Sequence, residues 1–290
     1  MKADVNVSDV REPNPKFISS RRSETENNVQ WLERQLNGYR GVAIVLTGGR
    51  NNLAVRVRTA QAHQRYSFTP SHWSHCFLLL HGTSDGLVYE ISLEPPAGFG
   101  FVGATNGMQE AQLASYESVR QWPNLAVIRI DSINPDDAAK ALKHFARQRV
   151  VVDAVTLLVR WLAYGWGAGS SGNPVLEGHG LPSAAMIEVI CNACGYDISP
   201  LTPNHSSTPE SIWQATKWWY HAPRTTKAAA TKRREGELPN DLPVGAFAIE
   251  YALGDTSEEQ WSAVLKDEMD QTAASSAARS SRRRPKVRHR

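Results

Sequence analysis

Cysteine is nearly absent, with three residues (Cys76, Cys191 and Cys194) in 290. Three thiols cannot frame a disulfide scaffold, so a reducing compartment is the default expectation. Long apolar runs are also missing. Residues 1–23 are polar and hold no apolar segment of the kind that opens a secretory signal. The chain is therefore expected to be made in the cytoplasm without a signal peptide, either to serve inside the cell or to be delivered by a dedicated secretion system. The best attempt at a transmembrane run, residues 150–167, is interrupted by Asp153 and Arg160 and reads as a buried helix. Two catalytic signatures are lacking as well. No GxSxG elbow appears, which argues against an α/β-hydrolase. Gly48-Gly49-Arg50 lacks the Lys-Ser/Thr of a phosphate-binding loop.

What is present suffices for one sizeable core, since 41% of residues are hydrophobic. The net charge of +3 is unevenly placed. Seven Lys/Arg and no acid lie between Arg279 and Arg290, and without them 25 basic residues face 29 acidic ones. The folded part is thus mildly acidic. Residues 279–290 read as a disordered basic tail, a candidate for weak contact with nucleic acid or an anionic surface, and one alternative reading makes the chain a nucleic-acid-associated protein acting through it. Residues 1–39 read as a polar extension with a short helix, 40–222 as the main domain, and 223–278 as a linker with a small strand and helix unit.

Within the main domain, Gly41–Leu46 predicts a buried strand closed by Thr47-Gly48-Gly49. Residues 52–64 alternate apolar and polar residues, yet helix is the preferred reading. Ser74-His75-Cys76-Phe77-Leu78-Leu79-Leu80 and Leu87–Leu93, joined by a Gly/Ser/Asp turn, predict an antiparallel hairpin. His75, Phe77 and Leu79 share one face, and Glu90 joins them in the matching register, with Glu94 the reserve. Leu125–Ile130 predicts a further strand. Asn134-Pro135 and Thr208-Pro209 each open a helix.

The chain is organised around Gly180–Gly195. Gly180 and Pro182 mark a helix entry, Gly195 its exit, and Met186, Ile187, Ile190 and Cys194 its apolar face. Glu188 and Asn192, four apart, predict one narrow wet stripe. Ser183 stands at the positive end of the helix dipole, where a nucleophile meets unpaired N–H groups. An N-cap serine is the commoner use of that place.

His75 taken alone reads as a core histidine. With Glu90 to hold its tautomer and a hydroxyl at a helix start, it completes a nucleophile, base and orienter set. The Cys191–Cys194 pair lacks the second ligand pair of a zinc site. His179 is a further candidate to line a cleft. Trp161, Trp166, Trp213, Trp218 and Trp219 read as packing.

These residues, in this order, resemble the circularly permuted, papain-like amidases of the NlpC type, with lecithin:retinol acyltransferase a distant relative. The resemblance is carried by Ser74-His75 opening a strand, Val88-Tyr89-Glu90 on the next, Ser183 through Gly195, and Thr208-Pro209-Glu210-Ser211-Ile212, and it covers roughly residues 40–218. It implies an α+β fold with an antiparallel sheet packed against helices and the histidine strand before the nucleophile helix. It implies acyl transfer on an amide (peptide or peptidoglycan) or an acyl ester or lipid, without cofactor or metal. Ser183 would hold the nucleophile position, His75 would be base and acid, Glu90 the orienter, and the backbone N–H of Ser183 or Ala184 the oxyanion donor. The family has cysteine where this chain has Ser183. Three readings follow: an introduced substitution that silences the enzyme, a natural hydrolytic serine, or a binding module for peptide, glycan or lipid in an inactivated cleft.

Overall fold

A computed structural model describes residues 18–94, 105–168, 171–200, 202–221 and 247–254. The expected linker at 223–243, the helix after residue 256 and the basic tail lie outside them. The fold is α+β. A seven-stranded sheet is built from β1 (Ile18–Ser19), β2 (Val42–Gly48), β3 (His75–Leu79), β4 (Leu87–Glu90), β5 (Gln109–Gln112), β6 (Asn124–Ile130) and β7 (Phe247–Ala252), in the spatial order β1-β7-β6-β2-β3-β4-β5. Every pairing is antiparallel except β1 with β7 at one edge.

The strands follow from the sequence. Val42–Leu46 is apolar and β-branched, and β2 is buried on both faces because β3 and β6 flank it and helices cover it. Phe247–Ala252 belongs to the same sheet, paired with β6 from Leu125↔Ala252 to Ile130↔Phe247, so it does not stand in a small unit of its own.

Six helices are described: α1 (Asn28–Gln35), α2 (Asn52–Ala60), α3 (Pro135–Arg147), α4 (Ala154–Gly165), α5 (Pro182–Ala193) and α6 (Pro209–His221). Their starts are chemically marked. Asn51 Oδ1 accepts from Ala54 N at 2.7 Å and Asn134 Oδ1 from Asp136 N at 2.8 Å. Thr208 Oγ1 accepts from Ser211 N at 3.0 Å, the cap the Thr-Pro pair predicts.

The sheet divides the core in two. On one side Ile44, Leu46, Cys76 and Leu78 pack with Leu142, Leu158, Trp161, Ile187 and Trp213, drawn from α3, α4, α5 and α6. On the other, Val45, Phe77, Leu79 and Val88 pack with Trp31 and Leu32 of α1 and with Tyr116. The short helix foreseen in the N-terminal extension is therefore part of the fold.

Helix α5 sits against β3, α3 and α4. Its entry is tightly fixed. Gly180 N donates to His205 O at 2.7 Å, and Trp161 Nε1 donates to Gly180 O at 2.8 Å. A Cβ at Gly180 would lie 2.1 Å from Ser207 O, so no larger residue fits. Gly195 closes the helix at φ +80°.

Two expectations for α5 change. The capping position is Leu181, so Ser183 lies inside the first turn and caps nothing. The foreseen wet stripe is also absent at Glu188, which is 1% exposed, with Asp197, Ser199 and Ser207 beside it. Burial lifts the Glu188 carboxyl to about 7, while the neighbouring Ser199 and Ser207 pull it down.

Candidate functional site

His75 begins β3. Its entry is held by Ser74, whose N–H donates to Thr47 O at 2.8 Å and whose Oγ accepts from Gly49 N at 2.9 Å. The β3–β4 register pairs Leu78 with Tyr89, which sets Glu90 on the face of Phe77 and His75. The short turn at 82–86 thus delivers the register the alternation required. His75 Nε2 lies 2.7 Å from Glu90 Oε2, with the His75 side chain 8% and the Glu90 side chain 2% exposed. Nδ1 has no hydrogen-bonding partner among the described residues.

A third group, unmarked in the sequence, completes this arrangement. Tyr116, in a single 3-10 turn after β5, donates its hydroxyl to Glu90 Oε2. Its ring stacks on His75, with centroids 6.0 Å apart and planes 7° from parallel. Burial first, and the Glu90 charge second, push the phenol well above its ordinary pKa, so it keeps its proton and acts as a donor. The segment is anchored from α1, since the buried Asn28 donates through Nδ2 to Tyr116 O at 3.0 Å and to Trp122 O at 2.9 Å.

The three side chains meet a cleft of about 230 Å³ at the end of the sheet. Its walls come from Asn51 and α2 (Leu53, Ala54, Val57), from β4 and the residues after it (Glu90, Ser92, Leu93, Glu94), and from Ser115, Tyr116, Gln121 and Trp122. Glu94, the reserve candidate, stands at the rim and accepts from Asn51 Nδ2 at 2.6 Å, away from the imidazole's hydrogen bond. His179 does not line the cleft; burial and then Arg160 lower its pKa.

Ser183 is placed differently from its expected role. Its Oγ lies 3.5 Å from Cys76 Sγ, and the residue is completely buried and does not line the cleft. Cys76 follows His75 on the strand, so the two project to opposite faces. The core assignments agree: Cys76 packs with the α5 residues, while Phe77 packs with Tyr116. His75 and Glu90 are therefore brought together, whereas the Ser183 hydroxyl makes no hydrogen bond with His75. The backbone of Ser183 and Ala184 is likewise tied into the core, since both residues are 0% exposed. Burial pushes the Cys76 thiol up to about 12, which leaves it protonated and a poor nucleophile.

The chain matches no protein-family model, no curated protein and no solved structure. The residues themselves carry the functional argument. Cys191 of α5 is fully buried and Cys194, which caps the end of α5, is half-buried, and among the described residues no group of three or more His, Cys, Asp or Glu is arranged to hold a metal ion. Among the described residues, no helix is long and apolar enough to cross a membrane. Chemically, the assembled part of the site is an imidazole at the wall of a cleft, with one nitrogen tied to a carboxylate and the other without a hydrogen-bonding partner among the described residues. That is the arrangement of a general base and acid with its orienting partner.

Proposed function

We propose that the chain is a hydrolase or acyltransferase acting on amide (peptide or peptidoglycan) or acyl-ester bonds, with the papain-like, permuted plan that its sequence resembles. His75 is the general base and acid and Glu90 its orienter. The observation that carries this reading is the 2.7 Å bond between them at the wall of a cleft, with Nδ1 unengaged. In this reading Ser183 holds the nucleophile position in the first turn of α5, with the N–H of Ser183 or Ala184 at the oxyanion. Ser183 Oγ meets Cys76 on the face of β3 opposite His75, so attack requires the entry of α5 to rearrange around the end of the strand, because a serine must lose its proton to the base as it reacts. The deciding experiment is turnover of amide, peptidoglycan and acyl-ester substrates by the natural sequence, Ser183→Cys, Ser183→Ala and His75→Ala. Activity in the first two and none in the last two is the expected pattern.

A second reading is a catalytically silent module that binds a peptide, glycan or lipid in the cleft. It is favoured by the engagement of the Ser183 hydroxyl with Cys76 and its complete burial. It predicts no turnover even for Ser183→Cys, with ligand binding weakened by substitutions at Trp122 or Glu94.

A further inference from the structure

We infer that Tyr116 is a positioning residue for the acid–base pair. By donating to Glu90 Oε2 and stacking on the ring of His75, it holds the imidazole in the tautomer with hydrogen on Nε2, so that Nδ1 is the acceptor nitrogen. The functional importance of this tautomer rests on the reading of His75 as the base; the tautomer itself does not.

A neutral imidazole has two tautomers, and the partner of one nitrogen selects between them. Here that partner is a single oxygen, Glu90 Oε2, which meets both the Tyr116 hydroxyl and His75 Nε2. A phenol that keeps its proton can only donate to that oxygen while its own hydrogen points there. An oxygen already accepting one hydrogen bond in this way completes its acceptor role by taking the second from Nε2–H. Without the phenol, Oε2 loses the neighbour that fixes the carboxylate's orientation, and the imidazole is freer to turn and exchange which nitrogen meets it.

The stacked ring supplies the other half of the device. A parallel neighbour at 6.0 Å restricts the rotation that would exchange the positions of the ring nitrogens and carbons. Tyr116 is in turn backed by Phe77, with ring centroids 4.5 Å apart, and by Trp122 at 5.2 Å. Its backbone oxygen is held by Asn28. The phenol is thus fixed by groups that lie mostly outside the reacting pair, as an orienting residue needs to be.

The test is the ¹⁵N NMR signature of the His75 ring at neutral pH, assigned by its loss in His75→Gln. The natural sequence is expected to show Nε2 in the protonated, pyrrole-like range and Nδ1 in the lone-pair range. Tyr116→Phe, which keeps the ring and removes the hydroxyl, is expected to move both resonances toward their mean with little change in melting temperature. Where turnover is measurable, kcat for Tyr116→Phe should fall roughly tenfold with KM unchanged, a part of the ~10²–10⁴ that a positioned acid–base group supplies. An unchanged ring pattern in Tyr116→Phe overturns the inference. So does hydrogen on Nδ1 in the natural sequence, a check that needs no folded variant. Because the tautomer is read without substrate, absence of turnover in the natural sequence counts against the hydrolase reading alone.

Discussion

One step along β3 separates two very different environments. His75 looks toward a cleft, where its imidazole is bonded to Glu90 and stacked on Tyr116. Cys76, the next residue, looks into a dry core, where its thiol meets the Ser183 hydroxyl and the apolar face of α5. Both groups are buried by area, and only His75 lines an opening. The imidazole keeps one nitrogen unengaged beside an opening, while the thiol and hydroxyl satisfy each other with no access to solvent. Burial alone is therefore a poor guide to function; what matters is whether a polar atom remains uncommitted at a place a substrate can reach.

The comparison can be broken or sharpened by substitution. His75→Ala should lower turnover per folded molecule by roughly a hundredfold or more, the usual worth of a general base, and should also lower the unfolding temperature, because the buried Glu90 carboxylate loses a partner. If activity survives, the cleft side is not the reacting side. On the core side, Leu78→Ala should cost ~2–5 kcal/mol in urea unfolding, because a fully buried leucine leaves a cavity against α5. Its turnover per folded molecule should stay near that of the natural sequence.

Glu188, on the same helix as Ser183, adds a pH test. Its carboxyl sits at about 7 in the fold against an ordinary 4.5, so between these values the folded state holds a proton that the unfolded chain has lost. Its contribution is therefore fully present below about pH 4.5 and declines as pH rises through 7, by at most roughly 3 kcal/mol. Asp197 adds to the upward shift, and Ser199 and Ser207 oppose it. Glu188→Gln should flatten this part of the stability profile, measured as urea midpoints at pH 5 and pH 8. The smallest effect belongs to Ser183→Ala, where the loss of one buried hydroxyl contact should change stability by about 1 kcal/mol. A much larger loss would mean that the Cys76–Ser183 contact organises the entry of α5.

Much of this was legible in the chain. β2, β3 and β6 announce themselves as short apolar runs, and the starts of α3 and α6 are spelled out by Asn134-Pro135 and Thr208-Pro209. The shared face of His75 and Glu90 follows from period-two alternation once the 82–86 turn sets the register. β5 was not legible: Gln-Glu-Ala-Gln has no strand pattern, and it is extended because β4 offers an edge. Glu188 read as a wet position because its neighbours Asp197, Ser199 and Ser207 lie beyond the helix in sequence. Tyr116 carried no local signal, as an aromatic in a polar stretch acquires its role only from β4 and α1. The side of β3 that α5 covers is set by packing, and a difference of one residue there decides whether the serine meets the imidazole or the thiol.

The pairing of β6 with β7 joins residues 124–130 to residues 247–252, and this bears on how the molecule is made. During synthesis the outer edge of β6 emerges long before its neighbour does. Until residue 252 has left the ribosome that edge offers unpaired N–H and C=O groups to any extended peptide nearby. Premature termination or proteolysis before residue 247 would leave the edge permanently open, and the resulting fragments should self-associate rather than persist as shortened monomers.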